Sequence, residues 1–203
     1  MPDRIEFQPT DNAWTCIIND LCLSELQIAM VVTGGGTGAI SRCLRRSGAS
    51  INFVEAVIPY SRMATQTYLG FEPTNGYASP STAKALAQTA HCRAVSFSKA
   101  PQQALGIALT ATLPTKPPGS DARLTQNCCI HVASQGKDLA RGWSLCFAAK
   151  PSEREVSEAV AEQMFLIALQ DSLHQHGFPI RSELVQPLND GGFTVTMAHA
   201  DDR

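Results

Sequence analysis

The run IAMVVTGGGTGAISRCL, residues 28–44, constrains the fold of this chain more than any other feature. Its first five residues are apolar without interruption, so a strand here has no polar face and must be covered on both sides. Three glycines follow, and TGAISRCLRR then reads as the opening of a helix. Strand, glycine turn and helix in succession form the first half of a parallel β-α unit. Glycine tolerates positive φ and lets another group approach the backbone. Unpaired N–H groups opening a helix also make a ready anion site. The residues leave two readings of the turn open, a tight connection or a ligand cradle.

The rest of the chain continues that layered pattern. Trp14, Ile17, Ile18 and Leu21 lie at helical spacing after a Thr10 or Asp11 cap, which predicts an amphipathic helix over 10–26. INFVEAVIPYS reads as a second strand stopped by Pro59, and RMATQTYLG as a short helix closed by Gly70. SPSTAKALAQTAHCRAV carries Ser79 as N-cap and Pro80 at the first helical position. ALGIALTAT is a third strand, followed by the exposed turn LPTKPPGSDAR. NCCIHVAS and GWSLCFAA, separated by QGKDLAR, read as a hairpin. The last long helix begins at a capping box of Ser152 and Glu155, with an apolar stripe of Val156, Val160, Met164, Ile167 and Leu169. After Gly177 comes a mixed tail in which NDGG can turn a small hairpin. The expectation is an α/β chain, a three-layer α/β/α sandwich with a mixed sheet over 1–177 and a C-terminal extension over 178–203.

Charge and cysteine usage narrow the function classes. At 203 residues and a formal charge of -2, the chain has no basic excess to draw it onto nucleic acid or anionic lipid. No apolar run approaches the roughly 20 residues of a membrane span, and the N-terminus has no signal-like apolar region, so a cytoplasmic setting is expected. The 7 cysteines include no CxxC and read as reduced thiols. His174 and His176 lie two apart near a helix end and point to different faces, so no metal site is expected; nor is a cofactor.

Ligands of such folds bind beyond the carboxyl ends of strands, which here means loops 33–38, 59–62 and 110–119. The glycine turn is not a Walker A, because no G-K-[ST] follows. Gly34, Gly36 and Ala39 fit G-x-G-x-x-[GA] with Glu55 about twenty residues on, but Glu55 sits inside an apolar strand run rather than at its end.

The order of these features resembles the C-terminal domain of the CinA family, the nicotinamide mononucleotide deamidases. That family carries A-E-S-C-T-G-G after the first strand, G-S-S at the next helix end, Y-S-N-E-A-K after the second strand, V-S-E-E opening a helix and T-G-I-A-G-P after the third strand. This chain has VTGGGTG at 32–38, GAS at 48–50, YSRMAT at 60–65, ASPSTAKALA at 78–87 and ALTATLP at 108–114. The likeness runs from about residue 20 to residue 172. It implies a serine amidohydrolase scaffold with a Ser/Lys dyad, in which a desolvated lysine activates the serine. Aligned without a gap, however, Gly34 stands at the serine and Thr65 at the lysine, and no lysine occurs between 5 and 83.

The resemblance therefore implies a scaffold without its chemistry. A nucleotide or other phosphate-bearing small molecule would be held by Thr33, Gly34, Gly35, Gly36, Thr37, Gly38, Tyr60, Ser61 and Thr110, with charge from Arg62 or Lys116. No catalytic residue is assigned. Against this, Tyr60 and Ser61 can simply cap a strand end, Thr110 can be structural, and Lys116 and Arg123 can be solvated. Arg45 and Arg46 end a helix, where the dipole favours cations anyway. Two alternatives stay open: an active amidohydrolase with a relocated nucleophile at Thr33, Ser61 or Ser50 and His131 as the imidazole in reach, or a structural subunit, since the family commonly forms homo-oligomers.

Overall fold

The computed structural model describes residues 11–115, 128–147, 154–180 and, for the backbone, 195–199. Lys116, Arg123, Ser152 and the turn at 189–192 lie outside the described residues. The helices are α1 (Asp11–Leu23), α2 (Gly38–Leu44), α3 (Arg62–Leu69), α4 (Pro80–Phe97) and α5 (Arg154–His174). The strands are β1 (Gln27–Thr33), β2 (Phe53–Val57), β3 (Ala104–Thr112), β4 (Cys129–Gln135), β5 (Ala140–Cys146) and β6 (Val195–His199). They form one mixed sheet of order β2-β1-β3-β4-β5-β6, in which β2, β1 and β3 are parallel and each later neighbour is antiparallel.

The uninterrupted apolar run of β1 is explained by cover on both faces. Ile28, Met30 and Val32 join a large core with Trp14, Ile17, Ile18 and Leu21 of α1 and with much of α5. Ala29 and Val31 face the other way, into a smaller core under α4 made of Ala83, Leu86, Ala87, Ala90 and Ala94. The small residues on that face let α4 lie close to the sheet: a Cβ on Gly106 would stand 2.1 Å from the Ala87 carbonyl oxygen. The result is the expected three-layer α/β/α sandwich, with α1, α2 and α5 against one face and α4 against the other.

Several local signals act as the sequence predicts. The Ser79 hydroxyl accepts from the Thr82 N–H at the start of α4, and Gly70 ends α3 at φ 81°. NCCIHVAS and GWSLCFAA do pair as an antiparallel hairpin. The tail contributes β6, which pairs with β5 at the sheet's outer edge.

The cysteines require a correction. Cys129 and Cys146 are directly opposed in β4 and β5 and are joined by a disulfide, rather than both being reduced. Strand alternation sends Cys128 into the large core and leaves its neighbour Cys129 on the opposite face. The hairpin register then brings Cys146 across from it, with Cα atoms 4.2 Å apart. Register is a property of the folded pair, so adjacent cysteines in the sequence do not reveal it.

Candidate functional site

From β1 the chain turns through α2 on one face to reach β2, and from β2 it returns through α3 and α4 on the other face to reach β3. The two crossovers thus leave the carboxyl ends of the neighbouring strands β1 and β2 toward opposite faces, and the carboxyl end of β1 also abuts β3, where Thr33 is paired with Thr110. Ligand crevices form beyond the carboxyl ends of strands whose connections part in this way, and a crevice lies beside these ends. Here it has a volume of about 660 Å³.

Four of the nine expected site residues line it: Thr33, Gly34, Tyr60 and Thr110. Arg62 does as well, and so do Thr65 and the 73–78 segment, which sequence reasoning did not place in the ligand site. The signal that could have found this segment is PTNGYAS, a turn with Gly76 at φ 85° immediately before the Ser79 cap. That turn delivers Tyr77 to the wall. The Tyr77 hydroxyl accepts from Gln66 Nε2 at 2.6 Å and keeps its own proton for another partner.

The crevice floor has a definite hydrogen-bond polarity. The Thr33 hydroxyl donates to the Pro59 carbonyl at 3.0 Å, and the Thr110 hydroxyl donates to the Tyr77 carbonyl at 2.7 Å. The Thr65 hydroxyl donates to the carbonyls of Pro59, at 2.8 Å, and Ser61, at 3.1 Å. Each of these buried hydroxyls has spent its one proton on the main chain. Toward a ligand they present lone pairs, so the floor complements hydrogen-bond donors. The one charged side chain among the described lining residues is Arg62, whose guanidinium lies 5.4 Å from the centroid of the Tyr77 ring.

The other five expected residues are placed elsewhere. Ser61 is the N-cap of α3, its hydroxyl accepting from the Ala64 N–H at 3.1 Å. Thr37 is exposed at the start of α2 and makes no side-chain cap. Gly35, Gly36 and Gly38 face inward, where added Cβ atoms would meet Leu113, Leu109 and Glu162. One donor of the expected main-chain cradle, the Gly36 amide, is engaged from within the protein. The Gly36 N–H donates to a Glu158 carboxylate oxygen from α5, and Arg154 bonds both Glu158 and the Gly34 carbonyl. An internal carboxylate thus accepts from the Gly36 amide of the turn, because the packing of α5 brings it there.

The remaining sequence candidates also resolve. Glu55 pairs with Arg93 of α4, which leaves it a structural role. His131 lies within β4 and is buried, its Nδ1 2.8 Å from Ser144 Oγ on β5. Burial holds the His131 imidazole below its ordinary pKa. His174 and His176 contact the carbonyls of Phe178 and Ser172. No cluster of potential metal ligands occurs among the described residues, and no described helix is long and apolar enough to cross a membrane.

No protein-family model matches this chain, and no curated protein matches it. Solved structures do. A competence-damaged protein (CinA) superfamily protein from Escherichia coli superposes with TM-score 0.61 at 16% identity, over 84% of this chain and 94% of that one. A CinA superfamily protein from Klebsiella pneumoniae gives TM-score 0.63 at 14% identity, over 83% and 99%. The competence/damage inducible protein CihA from Agrobacterium tumefaciens gives 0.58 at 20%, over 81% and 99%. At these identities the likeness establishes a CinA-like fold.

Proposed function

We propose that this chain is a CinA-like binding domain that holds a nucleotide-class small molecule in the crevice between β1 and β3, without Ser/Lys hydrolysis. The carrying observation is the backbone at Gly34. Its φ is 80°, and a Cβ there would stand 2.0 Å from the Ala111 carbonyl oxygen, so the position that corresponds to the family's serine has no room for a side chain. At the position that corresponds to the lysine, Thr65 has its proton committed to main-chain carbonyls. A threonine hydroxyl is no base near neutral pH. With the Gly36 amide engaged by Glu158, Arg62, the charged side chain of the described lining, is the group suited to receive a phosphate, and the acceptor-lined floor suits amide or ribose donors.

Calorimetric titration with nicotinamide mononucleotide, run beside an ammonia assay, tests this reading. Saturable binding without ammonia is expected, weakened at least tenfold by Arg62→Ala, since a lost charge-assisted bond costs about 1.5–3 kcal/mol. Absence of binding across a panel of nucleoside monophosphates sinks it.

One observation favours a competing amidase reading, the His131–Ser144 pair at 2.8 Å. Neutral imidazole beside a serine hydroxyl is the pairing a nucleophile needs. Thr33 and Ser61, by contrast, are committed to structural bonds. Fluorophosphonate labelling at Ser144 that disappears in His131→Ala would replace the binding reading with this one.

A further inference from the structure

A second concave surface shares no residue with the crevice. It is a groove of about 340 Å³ between α1 and α2, lined by Trp14, Thr15, Ile18, Arg42, Arg45 and Arg46. We propose that it binds a small multivalent phosphate, such as a diphosphate group on a metabolite.

Three guanidiniums on one wall set its character. Arg42 is fixed in place: its Nε donates to Glu162 at 2.9 Å, and its guanidinium lies 5.6 Å from the Trp14 ring centroid. Arg45 and Arg46 are exposed, and neither pairs with a carboxylate among the described residues. Arg46 donates through Nη1 to the Thr15 carbonyl at 3.4 Å, which ties the α2 wall to the α1 wall. Trp14 is only 3% exposed and gives the groove an aromatic wall.

The lining thus combines cationic forks with an aromatic wall and, among the described residues, includes no carboxylate. Helix-dipole complementarity favours cations at the end of α2, but it does not distinguish arginine from lysine. Nor does it account for three arginines and no lysine across a concavity that includes α1. Guanidinium forks match phosphate oxygens in pairs, which an ammonium cannot do. The size and surroundings select a small ligand over a polymer. The volume lies at the low end of ligand pockets. Among the described residues the cations lining the groove are Arg42, Arg45 and Arg46, too short a row for a nucleic-acid backbone to follow.

Calorimetry of the full chain with inorganic pyrophosphate at low salt provides the test. In an Arg62→Ala background, which removes the crevice's own phosphate-binding charge, one saturable site is expected, weakened at least tenfold by adding Arg45→Ala with Arg46→Ala. Arg45→Lys with Arg46→Lys should fall between wild type and the alanine pair, since charge is kept and the forks are lost. Quenching of tryptophan emission by pyrophosphate, compared between wild type and the lysine pair, reports on the same groove if the alanine pair folds poorly. Absence of saturable heat, unchanged affinity in both double variants, or tighter binding of a single-stranded oligonucleotide than of pyrophosphate overturns the proposal.

Discussion

Gly34 shows how one residue decides the chemistry of a site. Its positive φ costs any L side chain about 1–2 kcal/mol, and the Ala111 main-chain oxygen, 2.0 Å from an ideal Cβ, cannot rotate away as a side chain would. Restoring a serine by Gly34→Ser should therefore destabilise the protein by about 3 kcal/mol or more, read as a fall in the urea midpoint. It should not create ammonia release from nicotinamide mononucleotide, because no lysine lines the described crevice. The sequence points to Gly34 and Thr65 through their places in VTGGGTG and YSRMAT, and both do reach the crevice wall. Glu158 was not legible in the same way. It lies 122 positions from Gly36, and only the packing of α5 against the turn brings its carboxylate to the amide.

At the scale of elements, local chemistry predicted most boundaries and cross-strand register supplied what it could not. Pro80 after the Ser79 cap and Gly70 after RMATQTYL are stereochemical punctuation, read directly from residue type. ALGIALTAT coincides with β3 because a strand buried on both faces needs an unbroken apolar run. The hairpin of β4 and β5 was predictable as a hairpin, whereas the facing of Cys129 and Cys146 was not, since a one-residue slip sends each side chain to the other face. That disulfide closes a loop with a sequence separation of 17, and removing such a link costs about 3 kcal/mol in the chain-entropy account. The double substitution Cys129→Ser with Cys146→Ser should lower unfolding free energy by about that amount in chemical denaturation. Wild-type protein held in excess dithiothreitol should match it, and an unchanged midpoint in both would exclude a stabilising role for the link.

For the whole molecule, the asymmetry between the two faces of the sheet has a consequence for pH. The α4 side holds small apolar residues and two imidazoles, His91 and His131, both driven below the ordinary value of 6.5 by burial. Each therefore binds a proton more readily in the unfolded chain than in the native one. Their contribution to stability is complete above pH 6.5 and is lost progressively as pH falls below it toward the lowered native values. Urea midpoints should drop between about pH 7.5 and about pH 5, and the drop should be smaller in His131→Gln than in wild type. Equal slopes for the two proteins would show that His131 titrates alike in both states.

The sequence by itself determined the layered α/β class, the parallel β1 unit, the caps of α3 and α4, and the absence of side-chain chemistry at Gly34. These follow from residue type and from periodicities of two and 3.6, which act within a few positions of each other. Only the tertiary structure decided which groups meet across the chain: Glu158 at the Gly36 amide, Tyr77 at the crevice wall, Cys146 opposite Cys129, and Arg46 against Thr15. Such contacts depend on how elements pack and register, and no local stretch of residues carries that information.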